Sequence, residues 1–230
     1  AARVVIVRLT YPAIKAIGGL VDESMHLYRQ FNAEWRVQQL KWYFPNGAQI
    51  QFVAMPTNRA EVQGWQATNI IVDEGAEFEL EDILALKERL RGARYKGKLS
   101  ITITCNPNRN SWLFPFVEYC LDPDTGVPVP GTENRVRHFI VVGGKVLWGD
   151  SYDDLYEKHG HGLVKGKSFR PTTFRFIPMD IYSNPVLLKN NPDYLNNLLS
   201  GTRVSQLRFL HGSWTAVPEG ASVFNRNWVK

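Results

Sequence analysis

Asn69-Ile70-Ile71-Val72-Asp73-Glu74 constrains the fold more than any other stretch of this 230-residue chain. Three branched apolar residues run directly into two adjacent carboxylates. A short apolar run of this kind predicts a strand buried on both faces of a sheet. Ending it in Asp-Glu places two charges at the strand's C-terminal edge, where open α/β sheets bind their ligands. An Asp there can hold Mg²⁺ through water, because Mg²⁺ prefers carboxylate oxygens and keeps much of its hydration shell. A Glu one residue on points elsewhere and can orient or deprotonate a water. Apolar-apolar-Asp-Glu also arises by chance at strand ends, so the pattern alone does not separate a site from ordinary structure.

Composition narrows the class. Hydrophobic residues make up 44% and charged residues 21%, as in an ordinary globular domain. No apolar run is long enough to span a bilayer, and none reads as a signal peptide. Cys105 and Cys120 are too few for a disulfide framework, which points to a reducing compartment. The net charge of +5 mildly favours a polyanionic partner. The chain opens without Met, on residues that already read as a buried strand, so it is expected to be a segment of a longer protein.

In chain order, Val4–Val7 predicts a first strand, and Ala13–Phe31 a helix weakened at Gly18-Gly19. Arg8 and Thr10 lie just past the strand end, where they can meet a phosphate or simply decorate a turn. Pro45-Asn46-Gly47 marks a turn, and Gln49–Ala54 reads as the returning strand of a hairpin. A polar loop containing Arg59 precedes the Ile70–Glu74 strand, and Glu77–Leu90 predicts a helix. Lys87–Lys98 holds six basic residues against one acid, suiting either a DNA backbone or a solvated helix end. Leu99–Thr104 alternates as a strand and stops at Cys105-Asn106-Pro107. Thr104 and Asn106 thereby offer neutral hydrogen-bonding groups at the same sheet edge as Asp73 and Glu74. Further on come a hairpin over Val136–Trp148, a short helix over Ser151–Lys158, a strand over Thr172–Ile177 and a helix over Asn191–Phe209. His159 and His161 lack a third ligand and read as a solvent loop.

Gly162-Leu163-Val164-Lys165-Gly166-Lys167-Ser168 invites reading as a phosphate-binding loop, but it has three residues where the pattern needs four. Phe169-Arg170-Pro171 also cannot open the helix whose N-terminus would hold the phosphates. The chain therefore pairs a Walker B candidate with no phosphate cradle of its own, and the cradle is expected upstream.

The order of these features resembles the ATPase region of tailed-phage terminase large subunits, the motors that drive DNA into procapsids. Arg3–Pro12 looks like the strand after the Walker A helix. Gln63-Gly64 together with Ile70–Ala76 resembles the approach to Walker B and Walker B itself, and Thr102–Pro107 the coupling motif. Ser183–Leu187 with Pro192-Asp193-Tyr194 and Leu198, and Leu207–Trp214, resemble the end of the family's ATPase region. Ser213 stands where an acid is common.

The resemblance implies an α/β, P-loop NTPase-like, mostly parallel sheet flanked by helices, with a small C-terminal linker or lid. It implies an ATPase core over 1–170, a linker or lid over 171–215 and, over 216–230, the start of a linker toward a nuclease domain. ATP and Mg²⁺ are the implied cofactors. Asp73 would hold the metal and Glu74 would activate water. Thr104 and Asn106 would link phosphate loss to motion, and Arg8, from its place at the strand end, is the candidate phosphate contact. Arg59 is the candidate for an arginine acting on a neighbouring subunit's nucleotide. The implied partners are double-stranded DNA, the portal protein, the terminase small subunit and further copies in a ring, in the host bacterial cytoplasm during virion assembly. Without its Walker A, this segment alone is expected to be inactive. A non-catalytic DNA- or portal-binding fragment and a superfamily 2 helicase-like ATPase are the alternatives.

Overall fold

The computed structural model describes residues 1–56, 59–132, 135–143, 145–165 and 168–217, without the side chains of residues 59–61. The chain forms two compact units that divide between Leu113 and Phe114.

The first unit is built on a six-stranded sheet. Its strands are β1 (Arg3–Arg8), β2 (Glu34–Arg36), β3 (Lys41–Tyr43), β4 (Gln49–Ala54), β5 (Asn69–Val72) and β6 (Ser100–Ile103), in the order β2-β3-β4-β1-β5-β6. β4, β1, β5 and β6 run parallel to one another, while β2 and β3 add on antiparallel. The expected hairpin is β3–β4. β1 is buried on both faces, as the first strand of a doubly covered sheet should be. Val5 and Val7 join Ile70, Val72, Phe78 and Leu86 in one core, while Ile6 joins Ile14, Trp42 and Phe52 in the other. α1 (Tyr11–Ile14) and α2 (Leu20–Tyr28) supply the second core, and α3 (Leu80–Lys87) the first.

The helix expected over 13–31 is two helices. Thr10 caps α1, its Oγ1 accepting from the Ala13 amide, and Pro12 occupies the first turn. Gly18, at φ +67°, then turns the chain in a conformation that suits glycine. Between α2 and β3, Trp42 Nε1 donates to Ser24 Oγ over 3.0 Å, which satisfies both groups in a buried setting.

The basic run after α3 is not a uniform solvated face. Arg89 is buried, its guanidinium donating to the Gln63 carbonyl at 2.9 Å and to Glu88 at 2.7 Å. Its own carbonyl accepts from the Ala67 amide. Arg89 therefore fastens the segment before β5 to the end of α3. Arg89→Met keeps the apolar stem and loses the two guanidinium bonds. It is expected to cost about 1–3 kcal/mol, because the Gln63 carbonyl loses its partner; a denaturant titration reads this directly.

The second unit holds α4 (Phe114–Val117), a sheet of β7 (Val136–Val142), β8 (Lys145–Gly149) and β9 (Thr172–Arg175) in the order β8-β7-β9, and α5 (Tyr152–His159). Phe116, Phe139, Trp148 and Phe174 pack edge to face or tilted at centroid separations of 5.1–5.8 Å. α6 (Pro185–Asn190), α7 (Pro192–Leu199) and α8 (Arg203–Phe209) follow. The single helix expected over 191–209 is thus split at Ser200-Gly201. Thr202 caps α8, accepting from the Ser205 amide, so the local capping chemistry restarts the helix there. Gly166 and Lys167 of the rejected phosphate loop lie outside the described residues, and a strand, β9, is the next element. Residues 218–230, expected to begin a linker, also lie outside them. No helix among the described residues is long and apolar enough to cross a membrane.

Candidate nucleotide site

The site follows from strand register. In the parallel pairs, Val7 lies opposite Val72 and Val72 opposite Ile103. The next residue on each strand is Arg8, Asp73 and Thr104, so these three stand level across the sheet's C-terminal edge. The ladder continues one step past the regular strands, with the Asp73 amide donating to Val7 O and the Thr104 amide to Val72 O, each at 2.9 Å. Asp73, in the middle, is held from both sides. Arg8 NH1 donates to Oδ2 and Thr104 Oγ1 to Oδ1, each at 2.8 Å. The Arg8 and Asp73 side chains are 24% and 23% exposed, so the pair is sheltered yet open to a ligand.

Glu74 leaves the sheet abruptly. Its backbone is left-handed, at φ 54° and ψ 47°, a strained state for a residue with a Cβ. The turn is locked behind it: the Gly75 amide donates to Thr104 O at 2.7 Å, and Trp112 Nε1 donates to Gly75 O at 3.0 Å. Asn106 Nδ2 reaches Glu74 Oε2 in a long contact of 3.5 Å. Burial raises the Glu74 carboxyl above its ordinary 4.5, and the Asp73 charge raises it further, while Arg8 partly opposes both. Cys105 beside it is pushed up to about 11, by burial and then by Glu74.

A carboxyl raised on folding makes the folded state the better proton binder. Stability is then highest below the unfolded value and falls as pH rises through the folded one. Glu74→Gln removes that charge. The variant is expected to melt above wild type at pH 7, with the gap closing below about pH 4.5. Paired thermal melts at the two pH values read the effect.

The sequence-derived residues Arg8, Asp73, Glu74, Thr104 and Asn106 thus converge on one edge. Arg59 lies in a 3-10 turn, Arg59–Gly64, and its side chain falls outside the described residues. Thr10 serves as the cap of α1. The sequence reading missed the Arg8–Asp73 pair, the left-handed Glu74 and the Trp112 tie. The adjacent Gly75 was the one available signal of a close backbone approach.

The donor chemistry suits Mg²⁺ and a phosphate. Each Asp73 oxygen has one protein partner and keeps further acceptor capacity. Mg²⁺ bound with phosphates needs only one or two carboxylates. Arg8 Nε is buried with no acceptor, so the guanidinium retains an unmet donor. Among the described residues there is no cluster of three or more His, Cys, Asp or Glu side chains that could form an all-protein metal cage.

Comparison with known proteins gives the family and the fold. Residues 4–230 match the family described as terminase large subunit, T4likevirus-type, N-terminal. The large terminase of a thermophilic bacteriophage, in complex with ADP, superposes with a TM-score of 0.50 at 13% identity, covering 93% of this chain and 40% of that one. A second structure of the same terminase gives 0.50 at 12% identity over the same shares. The ATPase domain of a Thermus phage large terminase, in a mutant form, gives 0.43 at 14% identity, over 92% and 76%. No curated protein matches the chain. The likeness to the thermophilic phage's terminase establishes a P-loop NTPase-like α/β fold. The chain belongs to the family of terminase large subunit N-terminal regions of T4likevirus type, and it spans about 40% of the length of that full terminase.

Proposed function

We propose that this chain is the ATPase segment of a viral DNA-packaging motor, coupling Mg-ATP hydrolysis to movement of double-stranded DNA into a procapsid. One observation carries the reading: a basic side chain, two carboxylates, a hydroxyl and an amide meet at the C-terminal edge of three adjacent parallel strands. Asp73 and the nucleotide's phosphates would hold Mg²⁺, which would neutralise phosphate charge. Glu74, strained and partly desolvated, orients and deprotonates the attacking water. Arg8 contacts phosphate through donors that Asp73 leaves free. Thr104 and Asn106 touch the two carboxylates directly, so a change there is transmitted into β6. Arg59 is the candidate for an arginine acting on a neighbouring copy's nucleotide. The ADP bound to the thermophilic phage's terminase supports ADP and ATP as ligands here. The portal protein, the terminase small subunit and a homo-oligomeric ring complete the assembly, in the host bacterial cytoplasm.

The test is steady-state ATP hydrolysis by the whole protein that carries this segment, wild type against Glu74→Gln, with and without duplex DNA. Turnover lost in the variant with nucleotide still bound supports the motor. A non-catalytic binding module draws on one observation, that both Asp73 oxygens are already engaged within the protein. Equal, negligible turnover with no nucleotide bound would select that module.

A further inference from the structure

We propose that the groove beside β3 and β4 is a docking surface for the phosphate backbone of duplex DNA. This rests on the packaging reading for its partner class, and not on the nucleotide site. The groove encloses about 730 Å³ and is lined by Tyr11 and Lys15 of the first helical segment, by Gln38 and Lys41, and by Tyr43 and Gln51 across the hairpin. No carboxylate lines it. Glu34 of β2, opposite Tyr43 in the strand register, is paired with Arg36 at 3.0 Å. Neither Lys15 nor Lys41 makes an ion pair among the described residues. Two cations without ion-pair partners therefore share a concave surface with side-chain amides and the Tyr11 hydroxyl, while the Tyr43 hydroxyl is already spent on Gln39. These are the groups that contact DNA phosphates without reading bases.

The turn beside the groove is held by its own backbone and side-chain bonds. Leu40 takes a left-handed backbone, at φ 48°, where the turn Val37–Gln39 meets β3. Tyr43 OH donates to Gln39 at 2.8 Å, and Gln51 Nε2 donates to the Gln39 carbonyl at 3.4 Å. The choice of duplex over single strand follows from the packaging reading; of the groove's two tyrosines, Tyr11 is half exposed, and only Tyr43 argues against stacked bases. A single strand needs bare aromatic faces on which bases stack. The Tyr43 ring is instead flanked by Lys41 at 5.1 Å and Arg36 at 5.3 Å. Cations held against that ring suit a backbone of phosphates.

The experiment is fluorescence anisotropy of a short labelled duplex with the 230-residue chain across a salt series, without ATP. Lys15→Glu with Lys41→Glu is expected to weaken binding at least about tenfold near 0.1 M salt and to flatten the salt slope by roughly 0.9 for each phosphate no longer neutralised. Arg94→Glu with Lys96→Glu, in the exposed basic loop before β6, should leave both unchanged. Lys15→Gln with Lys41→Gln should fall between, and it keeps the test sharp if the charge reversal fails to fold. Loss of binding in the loop variant alone, tighter binding of single strands than of duplex, or no binding by wild type would each overturn the proposal. Duplex binding through this groove, with no ATP hydrolysis by the whole protein that carries this segment, would overturn the motor reading alone.

Discussion

Glu74→Gln in the whole protein is expected to lower ATP turnover by about 10²–10⁴-fold, the range ascribed to a positioned general base. The amide keeps the size of the carboxylate and its place at the sheet edge but cannot take a proton. Nucleotide affinity should change little, because the groups proposed to grip phosphate and metal are Arg8 and Asp73. The kinetic signature is therefore a loss in kcat with little change in KM. The same substitution is expected to raise the melting temperature at pH 7. The Glu74 carboxylate is held in partial burial beside Asp73, against its own electrostatic preference. Lost turnover with gained stability separates a catalytic carboxylate from a structural one. A structural Glu74 would lose stability and leave turnover intact. A catalytic group that costs the fold stability is a common pattern at active sites.

Much of this site was legible in the sequence, because register does most of the work. Once Val4–Val7, Ile70–Val72 and Ile101–Ile103 are read as neighbouring parallel strands, the residues that follow each must meet at one edge. That is why Arg8, Asp73 and Thr104 could be picked out without coordinates. The role of Arg8 was less legible. Sequence placed it near phosphate, but only a level register with Asp73 brings the two within 2.8 Å. The breaks in the helices over 13–31 and 191–209 were under-read for a related reason. Apolar spacing continues through Gly18-Gly19 and Ser200-Gly201, and capping by Thr10 and Thr202 decides where α1 and α8 start. Arg89 was misplaced among the solvated cations because composition carries no information on burial. Its long stem is buried and its head meets a carbonyl 26 residues away in sequence.

Gly75→Ala is expected to be the most damaging small substitution in the first unit. A Cβ at Gly75 would run into the Cγ2 of Ile103, with the Thr104 carbonyl in ordinary contact at 3.6 Å on the other side. Neither neighbour can yield freely. Ile103 sits in β6 opposite Val72, and Thr104 O already accepts from the Gly75 amide. The added methyl therefore pushes the Asp73-Glu74 turn off the end of β6. Overpacking of this kind costs about 1–3 kcal/mol, which for a chain this long lowers the melting temperature by several degrees, at roughly 2–4 °C per kcal/mol. The effect on turnover should exceed the effect on stability, because Glu74 precedes the displaced residue and Thr104 holds Asp73. A shift of about 1 Å in a catalytic group can cost about 10²-fold in rate. Ile103→Ala removes the atom that clashes. In the double variant the two changes should couple favourably, with a melting temperature above the sum of the single effects and partial return of turnover. Strict additivity would mean that the Gly75–Ile103 approach does not set the position of Glu74, and that the left-handed turn is held from elsewhere.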